Sequence, residues 1–151
     1  MSTLNEHDWS MVQLPRVRIL AALEAMPYAR HLGIRLAGAV PGDGALFHLP
    51  FEGRLIGNVT LPALHGGVVA SFMQTAAMAA TWALTRADVP PKLVDFSLDF
   101  LSSAGPSDIF AECEFHRVGK RIAAVGVRCW QRSSIEPVAL GRAHLFVAPS
   151  R

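Results

Sequence analysis

From Leu55 to Thr85 the chain carries no formal charge, and no other feature limits its fold so sharply. The run includes the stretch GNVTLPALHGGVVASFMQTAAMAA, in which His65-Gly66-Gly67 opens a long helical pattern that is apolar nearly all round. Such a helix must be covered on every side. A bilayer could supply that cover, but Val68–Leu84 is only 17 residues and contains Ser71, Gln74, Thr75 and Thr81. A membrane span wants roughly 20 mostly apolar residues, and Pro62, Gly66 and Gly67 stand just before this one. The reading is therefore a core helix, with no membrane.

The flanking segments say what covers it. Residues 1–14 form a polar, flexible arm, and residues 15–151 a single domain, the size for which 151 residues suffice. After Pro15 the segment RVRILAALEAMPYARHL predicts a helix with Val17, Ile19, Leu20, Leu23 and Met26 on its apolar face, broken or restarted at Pro27. IRLAGAV and ALFHLPF then read as short strands joined by the turn Pro41-Gly42-Asp43-Gly44. Beyond the long helix the period changes to two. In LVDFSLDFL, Val94, Phe96, Leu98 and Phe100 alternate with Asp95, Ser97 and Asp99, a half-buried strand. DIFAECEFHRV, RIAAVGVRCW and VALGRAHLFV follow as strands, giving four in an expected antiparallel meander. The fold class is α+β, a curved antiparallel sheet wrapped on one central helix.

Composition excludes several function classes. Hydrophobic residues reach 51%, charged residues only 17%, and mean hydropathy is +0.30. That is more apolar surface than so small a domain needs inside, so subunit contacts are expected. The net charge of +2 comes with no Lys/Arg cluster interleaved with aromatics, which does not indicate nucleic acid. The N-terminus lacks the continuous apolar stretch of a signal peptide. Cys113 and Cys129 have no metal-ligand spacing, and the hairpin places Cys113 opposite the region of Ala124, so no disulfide and no metal site are expected. A reducing cytoplasm fits.

The pattern GN…HGG…Q…A, followed by DFSLDFLSSA, RVGKR and GRAHLFV, resembles hotdog-fold acyl-CoA thioesterases of the phenylacetate-degradation (PaaI-like) type, over roughly residues 28–148. The resemblance implies a hotdog fold, an acyl-CoA substrate, no cofactor beyond the coenzyme A of that substrate, and self-association as a dimer or dimer of dimers with LVDFSLDFL at a sheet edge. It also implies a site shared between subunits, Asn58 and His65 coming from one and Gln74 from the other.

Thioester hydrolysis needs a polarised carbonyl and an attacking water. Gly66 and Gly67 open the helix, so their N–H groups lack intrahelical partners and point at a place where the helix dipole favours negative charge. An oxyanion donor of this kind is worth about 10²–10³ in rate. By resemblance Asn58 helps hold the water or substrate, while its own residue type equally suits an Asx-turn. His65 is read as shaping the loop more than as a base. Gln74 stands where the resembled enzymes carry Asp or Glu, and an amide cannot take a proton at neutral pH. Some of the resembled enzymes also place Ser or Thr where Leu93 stands. Glu52, Asp95 and Asp99 are the other carboxylates in range, the strand acids reading first as a solvated or subunit-facing stripe. Arg117, Lys120 and Arg121 around one hairpin, with Arg86 after the helix, suit coenzyme A phosphates. Two further classes stay in view: a non-catalytic acyl-CoA-binding protein on the same scaffold, and a hydratase or dehydratase, which would need a His with a carboxylate partner that the helix lacks.

Overall fold

The computed structural model describes residues 16–37 and 45–149. The N-terminal arm, Pro15 and the turn at Pro41–Gly44 lie outside the described residues. Helix α1 spans Arg16–Ala25 and α2 spans Pro27–Leu32, with Pro27 in the first turn of α2, so the proline restarts the helix. The buried face of α1 is Ile19, Ala22 and Leu23, a narrower stripe than expected. Val17 and Leu20 are exposed, because the sheet and α3 reach only one side of this short helix.

Strands β1 (Arg35–Leu36) and β2 (Phe47–Leu49) pair antiparallel, and β3 (Ile56–Asn58) and β4 (Ala63–Leu64) make a separate small hairpin. Helix α3 spans Gly66–Thr85, followed by β5 (Lys92–Phe100), β6 (Ile109–Val118), β7 (Ile122–Trp130) and β8 (Ala139–Phe146). The strands of the main sheet run in the order β1-β2-β6-β7-β8-β5. Only β6, β7 and β8 form the expected meander. β5 crosses to the far edge and pairs with β8, because β2 already occupies the free edge of β6 through Phe47↔Ala111. The β6–β7 register sets Cys113 opposite Val127 and Cys129 opposite Ala111, three residues from the expected pairing near Ala124, and both thiols are free. Burial pushes the Cys113 thiol up to about 12, so it behaves as a small apolar group.

α3 packs against the inner faces of β5, β6, β7 and β8 and against α1. By length and composition it could cross a membrane, yet Phe72, Met73, Ala76, Ala77, Ala79 and Ala80 are wholly enclosed by protein. The cover is incomplete. Val68, Ala70, Ser71, Gln74 and Met78 are only half-buried, and Gly66 and Gly67 are exposed. Alternation along β5 also breaks once. A bulge between Leu93 and Asp95 leaves Val94 exposed, so Leu93, Phe96 and Leu98 pack on the core while the exposed Phe100 reaches over Gly66.

Asp108, at the entry to β6, staples the sheet to the loop that follows β2. Its Oδ1 accepts the Phe51 N–H at 2.8 Å, and its Oδ2 lies 2.7 Å from His48 Nε2. The Phe51 amide, and after it the His48 hydrogen bond, hold the Asp108 carboxyl below the usual carboxylate range. The fold thus favours the charged form, and the stabilisation is present above the unfolded value of roughly 3.9. It is lost as pH falls through the lower folded value. Asp108→Asn is expected to lower the thermal midpoint at pH 7, with the gap from the natural protein closing progressively below pH 4. A gap that stays constant down to pH 2.5 would remove Asp108 from the acid response.

Candidate active site

The first turn of α3 is built around His65. Its backbone is extended, and its Nδ1 accepts the Gly67 N–H at 2.9 Å, capping the helix. The ring is therefore unprotonated at Nδ1, and the neutral tautomer carries its proton on Nε2. His65 N–H in turn donates to Leu55 O at 2.9 Å, which ties the helix to the preceding loop. The His65 carbonyl accepts from Val68 and Val69. Among the described residues nothing accepts the Gly66 N–H. Two oxyanion donors were expected here, and this allocation leaves one: Gly67 is committed to the cap, and Gly66 is free.

Two glycines make the geometry possible. A Cβ at Gly57 would fall 2.6 Å from His65 Cα, and one at Gly67 would fall 2.9 Å from His65 Nδ1. The imidazole is therefore sandwiched between the β3 backbone and the first turn of α3. In the sequence Gly57 is only the glycine of the GN pair, and nothing there marks its close approach to His65. Asn58 Oδ1 accepts from Thr60 N–H at 2.9 Å and Leu61 N–H at 3.3 Å, an Asx-turn that shapes the loop. Its Nδ2 amide has no partner among the described residues.

Next to Gly66 lies an apolar cavity of about 310 Å³. Phe100 from the end of β5 covers Gly66, and Leu64, Val69, Ala104 and Val138 form the deeper wall. Leu64 N–H donates to Ala104 O at 2.8 Å, which brings the turn after β5 against β4. That turn is held from outside by Gln131, which bonds both backbone groups of Gly105 at 3.0 and 2.9 Å. No local motif marks Gln131, so its positioning role was not legible in the sequence.

Gln74 does not reach this cavity within its own chain. It stands eight residues along α3 from Gly66, about 12 Å at helical rise. Its half-buried amide makes no hydrogen bond among the described residues. It shares the incompletely covered stripe with Ala70, Ser71 and Met78, and Tyr28 Oη bonds Ser71 Oγ at 3.4 Å beside it. The other carboxylates are also elsewhere. Glu52 pairs with Arg54 at 2.6 Å. Asp95 and Asp99 lie opposite His144 and Leu140 on the outer sheet face, with Asp95 3.4 Å from His144. A His–carboxylate pair does exist, His48 with Asp108, but it sits beneath the Phe110 ring on the outer face of the sheet.

The basic residues are not gathered at Gly66 either. Arg117, Lys120 and Arg121 are exposed around the β6–β7 turn, and the register Ile122↔Phe146 and Lys92↔Phe146 puts that turn at the β5 start. Arg86 caps the C-terminal end of α3, the end away from Gly66. Among the described residues no cluster of His, Cys, Asp and Glu could hold a metal.

The family model of the thioesterase superfamily matches residues 61–138, from the loop before Gly66 to the start of β8. The chain belongs to the thioesterase superfamily. A solved protein from Chromobacterium violaceum is 36% identical, with a TM-score of 0.69, over 88% of this chain and 91% of that one. A thioesterase family protein from Silicibacter pomeroyi (19% identity, TM-score 0.74, 88% of this chain and 97% of that) has the same fold. So does the PaaI protein of the E. coli phenylacetic acid degradation operon (18% identity, TM-score 0.73, 89% and 93%). No curated protein matches the chain in sequence. The sheet wrapped on one apolar helix is the hotdog fold of this superfamily.

In this superfamily member the cap and the loop stand or fall together. Gly57→Ala drives a Cβ into the His65 backbone and is expected to cost about 1–3 kcal/mol, as overpacking does. Urea unfolding would measure it; an unchanged midpoint would mean that the loop yields freely and does not position the helix start.

Proposed function

We propose that the protein acts on the thioester of a small or medium acyl-CoA as a homodimer whose site is shared between subunits. The observation that carries this reading is the Gly66 N–H, free among the described residues, at the mouth of an apolar cavity, about 12 Å along the helix from Gln74. One chain thus holds the two halves of a site at a distance no single carbonyl spans. An antiparallel partner along β5 would bring its Gln74 to this Gly66. β5 supports such pairing: it is a nine-residue edge strand with no buried residue, and Val94 and Phe100 are exposed on it. An uncovered apolar edge is a hazard that a partner strand removes.

In the proposed mechanism the acyl group lies along the cavity walls and the thioester carbonyl accepts the Gly66 N–H, where the helix dipole adds to the polarisation. His65 acts by holding the first turn, and the Asn58 Nδ2 amide faces the water or the leaving group. Gln74 of the partner orients the attacking water without taking its proton; the C–O bond forms, the C–S bond breaks, and the water's proton ends on the departing coenzyme A sulfur. Arg117, Lys120 and Arg121 are assigned to the coenzyme A phosphates. The uncharged Gln74 favours a second reading with equal chemistry up to the last step, a protein that binds acyl-CoA without hydrolysing it.

Hydrolysis and binding of a panel of acyl-CoAs separate the two, with Gln74→Glu as the diagnostic variant. Gln and Glu are nearly isosteric, and general-base help contributes about 10²–10⁴-fold. The natural protein is expected to bind acyl-CoA and turn it over slowly at most, and Gln74→Glu to raise turnover by at least about 10²-fold with little change in affinity. Brisk natural turnover that survives Gln74→Ala would place the chemistry elsewhere.

A further inference from the structure

A larger cavity, about 570 Å³, lies at the other end of α3, between that helix and α1. Its walls are apolar and low: Ala21, Ala22 and Ala25 of α1 face the Trp82 ring. Trp82 is fixed there, since its Nε1–H donates to Ala87 O at 2.7 Å. Two arginines line the same space, the half-buried Arg18 from α1 and the exposed Arg86 from the end of α3. Neither is in an ion pair among the described residues, and no Asp or Glu lines the cavity.

Both arginines are unusual in their own right. Arg18 Nη1 is buried without a hydrogen-bond partner among the described residues, a state that buried donors rarely keep unless something else completes them. Arg86 holds φ of 54°, the sole non-glycine residue at positive φ among the described residues. A helix end of this shape usually takes Gly or Asn. With Arg there, the strained backbone carries a side chain to the cavity. Two cations lining one apolar hollow repel each other unless an anion lies between them.

We propose that this cavity binds an amphipathic monocarboxylate, with its carboxylate shared by Arg18 and Arg86 and its aliphatic or aryl body against Trp82 and the alanines. Arg forks match carboxylate geometry, and the volume falls in the range of small-molecule sites, roughly 300–1,000 Å³. A bare phosphate would satisfy the cations and leave the apolar wall wet. The site is distinct from that at Gly66, about 30 Å away along α3.

Calorimetric titration of the full chain with octanoate tests it, with inorganic phosphate as the second probe. Octanoate is expected to bind at one site per chain, at least tenfold more weakly in Arg18→Gln, and not measurably in Ala21→Leu, which fills the hollow from an exposed position. Unchanged thermal midpoints in both variants would tie the losses to the site. No octanoate binding by the natural protein, undiminished binding in both variants, or phosphate binding as tight as octanoate would each overturn the proposal.

Discussion

The structure depends on a helix that one sheet cannot finish covering. α3 carries twenty uncharged residues, and four strands and α1 enclose half of them. The remaining stripe runs from Gly67 through Ala70, Ser71 and Gln74 to Met78, and next to it β5 offers a long unpaired edge. An apolar helix face and a free strand edge on one side of a domain are two costs with one remedy, a second copy related by a two-fold axis. On the proposed reading, the position of Gln74 on that stripe would make the second copy part of the site.

At the helix start the deciding quantity is the number of N–H groups left free. A helix opens with four that lack intrahelical partners. His65 takes two of them, Gly67's on Nδ1 and Val68's on its carbonyl, and sends its own to Leu55 O; the missing Cβ of Gly57 leaves room for the ring. The histidine therefore serves electrostatics indirectly, by fixing the turn that presents Gly66. The cavity wall is fixed in the same way, through Gln131 on the turn after β5 and Asp108 on the loop after β2.

Local patterns made most of the fold legible. The uncharged run located α3, and period-two alternation located β5 to β8 within a residue or two of their ends. What failed was the pairing of β5 and the existence of the small β3–β4 hairpin, whose stretch from Glu52 to Leu64 reads as irregular. Nothing in LVDFSLDFL says that its neighbour is β8, because that choice is made by β2 claiming β6. The Val94 bulge and the exposed Val17 are likewise set by contacts that the segments do not contain. In the site, residue types pointed to the helix start but could not count donors, so Gly66 and Gly67 read as equivalent until His65 divided them. Arg86 read as one of a basic group; its positive φ and its shared cavity with Arg18 belong only to the three-dimensional fold.

The central claim is that one subunit's Gly66 and its partner's Gln74 meet at a single thioester. A crystal structure with a non-hydrolysable acyl-CoA analogue bound tests it most directly. The account predicts two copies joined along β5, with the carbonyl oxygen on the Gly66 N–H of one copy and the Gln74 amide of the other facing the carbonyl carbon. An analogue bound to a monomer, or seated with its carbonyl away from Gly66, would contradict it.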